Sequence, residues 1–92
     1  MRKRYPDPSK VRTMVRFKYD GASYKVVAEA DDIEGGRVVS FWIFEAWRTS
    51  EGGRKTYLLT RQRRRLAEEL AGLPQEKKIR RELQEELDWL MS

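Results

Sequence analysis

A chain of 92 residues is one domain, near the lower limit at which a single core sustains itself. It contains neither cysteine nor histidine, which removes disulfides, zinc sites of the usual ligand types, thiol nucleophiles and imidazole bases, so neither catalysis nor a metal or other cofactor is expected. The 20 Lys/Arg residues exceed the 15 Asp/Glu residues, and the net charge of +5 is unevenly spread: residues 1 to 65 carry a net +8 and residues 66 to 92 a net −3.

The basic excess therefore belongs to the first two thirds of the chain, where an anionic partner is to be sought. No apolar run approaches the roughly 18 residues of a membrane helix, and the charged N-terminus lacks a following hydrophobic region, so neither a span nor a signal peptide is expected. The expected setting is intracellular, in the cytoplasm or with the nucleoid. A charged fraction of 38% also suits a thermophilic source.

Met1 to Lys10 holds Arg2, Lys3 and Arg4, two prolines and few apolar anchors, so residues 1–12 are expected to form a flexible basic arm, either solvated or touching phosphates. Residues 13–73 then read as four strands and a helix. Met14 to Tyr19 alternates Val15, Phe17 and Tyr19 with Arg16 and Lys18, a strand with one apolar and one cationic face. Asp20-Gly21 is a turn, and Ser23 to Ala30 is a second strand with Tyr24, Val26 and Ala28 opposite Lys25, Val27 and Glu29. Asp31-Asp32-Ile33-Glu34-Gly35-Gly36 reads as a solvated connection. Its carboxylates lack the alternation of a calcium loop.

Arg37 to Leu59 reads as a long hairpin: β-branched and aromatic residues fill both arms, and Thr49-Ser50-Glu51-Gly52-Gly53 supplies the turn before Arg54-Lys55-Thr56-Tyr57-Leu58-Leu59. Strict alternation places Val39, Phe41, Ile43, Glu45 and Trp47 on one face, and Val38, Ser40, Trp42, Phe44, Ala46 and Arg48 on the other. Both faces are apolar. A small chain has one cover to offer a sheet, so the second face is expected to meet a subunit or a ligand.

Thr60 is the expected N-cap of a helix from about Arg61 to Ala71 whose Leu66, Leu70 and Leu73 form a stripe, ended by Gly72 and Pro74. Arg61, Arg63, Arg64 and Arg65 stand where the helix dipole favours anions, at a cost of about 0.3–1 kcal/mol per unfavourable charge, which suggests a polyanion across the helix start. A second helix from about Gln75 to Met91 shows Ile79, Leu83, Leu87 and Leu90 on one face, widened by Trp89. That face fits packing on the domain or a helix pair between subunits, and subunit contact is the favoured reading. The expected class is α+β: a four-stranded antiparallel sheet, a packing helix, and a C-terminal amphipathic helix over residues 74–92, in a dimer.

From about Tyr24 to Leu73 the sequence resembles the single-stranded-DNA-binding domain of the positive cofactor four transcriptional coactivator family. The resemblance rests on Ile43-Phe44-Glu45-Ala46-Trp47, on Gly53-Arg54-Lys55-Thr56-Tyr57-Leu58-Leu59-Thr60, and on the helix carrying Leu66 and Leu70. It implies a homodimer whose concave sheets bind unpaired DNA. It also implies that Trp47 lies at the nucleic-acid surface, that Lys55 and Arg54 match the basic pair after the glycine, and that Arg37 lies near the basic residue opening the third strand. Phe44 stands where the family usually has a basic residue, and Thr56 where it has glycine.

Sheet chemistry points the same way. Unpaired bases stack on aromatic rings while Lys and Arg neutralise phosphates. The candidate binding residues are Trp47, Tyr24 and Tyr57 for stacking and Arg16, Lys18, Lys25, Arg37, Arg48, Arg54, Lys55, Arg61 and Arg64 for charge. For Trp42 and Phe44 core packing is the expectation. The expected function is sequence-tolerant binding of single-stranded DNA or RNA in transcription, replication or repair. Two alternatives stand beside it. Met14-Val15-Arg16-Phe17-Lys18-Tyr19-Asp20-Gly21 resembles the opening strand of the seven-kilodalton archaeal chromatin proteins, which implies duplex binding, and the apolar sheet also suits a regulatory module that docks a transcription or replication protein.

Overall fold

A computed structural model describes residues 6–92. Four strands pair in sequence order as one antiparallel sheet: β1 Arg12–Tyr19, β2 Ala22–Glu34, β3 Arg37–Thr49 and β4 Lys55–Tyr57. Helices α1 Thr60–Leu70 and α2 Pro74–Met91 follow. The α+β architecture is thus a sheet with both helices on one face. No helix among the described residues is long and apolar enough to cross a membrane.

The Arg2–Arg4 segment lies outside the described residues, but order begins before the boundary expected at residue 12. Asp7 caps a 3-10 turn over Pro8–Lys10, accepting hydrogen bonds from the Ser9 backbone N–H at 3.0 Å and hydroxyl at 2.8 Å. These bonds favour the charged carboxylate and hold it below its ordinary range. Val11 is fully buried, and its carbonyl accepts from Ala30 N–H at 2.9 Å.

Two-residue turns build the β1–β2–β3 meander. Asp20 and Gly21 have φ of 50° and 74°, and Gly35 and Gly36 have 58° and 79°, the left-handed geometry that matches strand twist. The second turn needs only its glycines. Glu34 pairs with Arg37, and Asp31 to Glu34 continue β2 instead of forming the expected connection. Half-buried Ile33, opposite Val38, supplies the packing that outweighs the poor strand propensity of its acidic neighbours.

The largest departure from the sequence reading lies in β3. Val27 faces Glu45 and Ala28 faces Ile43, so Phe44 is an extra residue, a β-bulge that reverses the alternation. Ile43 and Ala46 consequently share the buried face, whereas Trp42, on the other side of the sheet, is 43% exposed. Further register shifts fall at Asp31 and Val39.

The core joins Val15, Val26 and Ala28 of the sheet to Leu66 and Leu70 of α1 and Ile79, Leu83 and Leu87 of α2. The apolar face of α2 is therefore spent within its own chain, which corrects the favoured reading of that face as a subunit contact. Only Trp89 and Leu90 remain exposed from the expected stripe.

Polar side chains of α2 also satisfy both margins of the sheet. Gln75 donates to Lys18 O at 2.9 Å and Lys78 to Arg16 O at 2.7 Å, along β1. Arg80 donates to Val39 O at 2.9 Å, while Gln84 accepts from Val38 N–H at 3.0 Å and donates to Gly36 O at 2.9 Å. Capped in this way, the edges offer fewer free backbone groups to other chains.

β4 is shorter than the expected run from Arg54 to Leu59, because Leu58 turns into the core while its N–H donates to Ala46 O at 2.9 Å. Leu59, not Thr60, is the N-cap of α1. Its N–H donates to the Gln62 side-chain carbonyl at 2.8 Å, which satisfies the helix entry without a hydroxyl cap.

Candidate nucleic-acid interface

With the helices on one side, the opposite face of the sheet is open, and alternation decides which residues reach it. Register pairs Arg16 with Lys25, Lys18 with Ser23, Lys25 with Trp47, and Ser23 and Lys55 each with Thr49. These residues line one cleft of about 440 Å³. Phe17 and Tyr24 complete its lining, and no carboxylate contributes to it.

Trp47 is the centre of the cleft. Lys25 Nζ lies 4.7 Å from its ring centroid, a cation–π contact worth about 0.5–1 kcal/mol at an exposed site. The Tyr57 ring meets Trp47 at 5.6 Å between centroids with planes inclined by 62°. Trp47 and Tyr57 are opposed residues of β3 and β4, so the short fourth strand serves to hold the second ring. The carbonyls of Arg16 and Lys18 are tied to α2, which fixes the backbone carrying two of the four cations.

Of the residues expected from sequence, Arg16, Lys18, Lys25, Trp47, Lys55 and Tyr57 share this face. Arg54 adjoins it in the turn before β4, exposed, with its N–H donated to the Ser50 hydroxyl at 3.2 Å. Others stand off that face, although Tyr24 still borders the cleft. Tyr24 is only 9% exposed, its ring stacked 5.5 Å from Phe17, and Arg48 Nε donates to its hydroxyl at 3.2 Å; both belong to the alternate register. Arg37 stands at the far end of β3, about 33 Å along the strand from Trp47, beside Gly36 and Gln84.

Arg61 is exposed on α1, and Arg64 lines a separate groove of about 370 Å³ with Phe41, Trp42 and Ile43. Arg63 has a structural role that the sequence reading did not assign. Its guanidinium donates to Leu58 O at 2.8 Å and the Thr60 hydroxyl at 3.1 Å, and lies 5.9 Å from the Tyr57 ring. One of the four arginines at the helix start is thus explained by the β4–α1 junction alone.

Ser23 and Thr49 were not anticipated in the cleft, although their parity with Lys25 and Trp47 was readable in the sequence. Trp42 and Phe44, expected in the core, instead meet edge to face on the open side at 5.5 Å. Asp31, Asp32 and Glu34 are exposed along the distal hairpin, and among the described residues no group of three His, Cys, Asp or Glu side chains converges on a metal position.

Fold and site together define a small α+β protein with a basic, aromatic open sheet. No family model, no curated protein and no solved structure matches the chain.

Proposed function

We propose that the open face of the sheet binds single-stranded nucleic acid, DNA or RNA, with little regard to sequence. The observation that carries this reading is Trp47, flanked by Tyr57 and Lys25, in a cleft whose charged lining, among the described residues, is Arg16, Lys18, Lys25 and Lys55. Every base has a face to stack, worth about 1–3 kcal/mol on an aromatic ring, and stacking between neighbouring base pairs hides those faces in a duplex. An incoming base takes the place of the Lys25 ammonium on Trp47, and the displaced ammonium is then free for a phosphate. Resemblance to the coactivator family's strand-three tryptophan and its basic pair supports the same use of Trp47 and Lys55.

A homodimer belongs to this proposal. β4 covers only Trp47–Thr49 of β3, and among the described residues no strand pairs with the outer side of β3 between Ser40 and Glu45. Such an edge accepts a second chain.

Duplex binding is the second reading, favoured by Met14, 54% exposed on the open face and suited to wedging between base steps. Competition between matched single-stranded and duplex oligonucleotides at two salt concentrations, read by tryptophan fluorescence, decides between them. Quenching with single-strand preference and a steep salt dependence is expected. Duplex preference would overturn the first reading, and no binding at low salt would turn attention to protein partners.

A further inference from the structure

Resting on that reading, we propose a second base-stacking subsite on the open face, formed by Trp42 and Phe44 with Arg12, so that a strand seated at Trp47 continues along β3 to Trp42. Three observations converge. Trp42 is 43% exposed, although burying it would serve a core as small as this one. Its ring meets Phe44 at 5.5 Å with planes at 88°, a paired aromatic surface like that of Trp47 and Tyr57. The Arg12 guanidinium lies 4.3 Å from the Phe44 centroid, fixed there by a 2.6 Å ion pair with Glu29, which is only 6% exposed. A nearly buried carboxylate holding an arginine over half-buried Phe44, itself against exposed Trp42, is a prepositioned cation beside a stacking surface. The two subsites thus repeat one chemistry, rings plus a cation.

The bulge explains how both pairs reach the same side. Without the extra residue at Phe44, Trp42 and Trp47 would stand at opposite parity and face opposite ways. Five residue steps separate them, about 16 Å along a strand, which several extended nucleotides span. Glu45 lies between, on the open face opposite Val27, and forms no ion pair among the described residues. Its carboxylate steers phosphates toward Arg12, Arg16 and Lys25 and leaves the β3 side to bases.

The test is anisotropy of labelled homothymidine strands of about 4 and about 12 nucleotides, within the range such sheet sites occupy, bound by the full chain and by Trp42→Ala, Trp42→Phe and Glu45→Gln. Trp42→Ala is expected to leave the short strand within about twofold and to weaken the long strand by about 5- to 100-fold, the equivalent of one lost stack. Trp42→Phe recovers most of that loss, and Glu45→Gln strengthens the long strand alone. Equal effects on both lengths, an unchanged long strand, or a change in sedimentation without a change in binding would overturn the second subsite. If Trp47→Ala abolishes binding while Trp42→Ala does nothing, only the second subsite fails. If the unmodified chain binds neither strand, the parent reading fails with it.

Discussion

Ile43 and Ala46 lie three residues apart on β3, yet both face the helices, at 4% and 0% exposure. In a regular strand they would point to opposite sides; the extra residue at Phe44 reconciles them. Deleting Phe44 restores strict alternation and sends either Ile43 or Ala46 out of the core, together with every residue beyond it on that side of the bulge. Loss of a cooperative urea transition is the expected outcome, whereas Phe44→Leu, which keeps the residue count, is expected to keep the transition.

Trp47→Ala is expected to weaken single-strand affinity by about 1–3 kcal/mol, the worth of one stacked base. Trp47→Phe retains a ring beside Tyr57 and is expected to lose less. Oligonucleotide anisotropy for both, with thermal melts to show an intact fold, checks this.

Salt dependence separates cleft cations from distant ones. Each phosphate contact on a single strand contributes about 0.7 to the slope of log affinity against log salt. Lys25→Gln and Lys55→Gln are each expected to lower the slope by about that amount. Arg37→Gln, at the far end of β3, is expected to leave it unchanged. Titrations at several salt concentrations read all three directly.

α2 belongs to the core of its own chain, so truncating its buried side is expected to be costly and truncating its exposed end cheap. Leu83, fully buried, loses about 2–5 kcal/mol of stability on change to alanine. Trp89, 74% exposed, is expected to change stability by no more than about 0.5 kcal/mol. Urea denaturation of the two variants distinguishes this arrangement from a helix that packs only against a second subunit.

The arginines at the start of α1 divide by role. Arg61→Ala removes an exposed positive charge from the positive end of the helix dipole and is expected to stabilise the fold by about 0.3–1 kcal/mol. Arg63→Ala loses the bonds to Leu58 O and Thr60 and is expected to destabilise it. Opposite signs in chemical denaturation check the division.

Local chemistry in the sequence was enough to determine the two glycine-containing turns of the meander, the order of four strands and two helices, the Leu66–Leu70 stripe, and the cationic alternation of Arg16 and Lys18. Each depends on residues within a few positions of one another, where propensity and side-chain period act. The side of the sheet that each β3 residue faces was decided only by the tertiary structure. One extra residue inverts parity, and its place depends on which part of β3 the helices and β2 cover. The same holds for α2, whose apolar stripe reads alike for a neighbour in its own chain or in another. It holds as well for the cleft, where Trp47 acquires Lys25 from β2 and Tyr57 from β4 through strand register, which no stretch of sequence contains by itself.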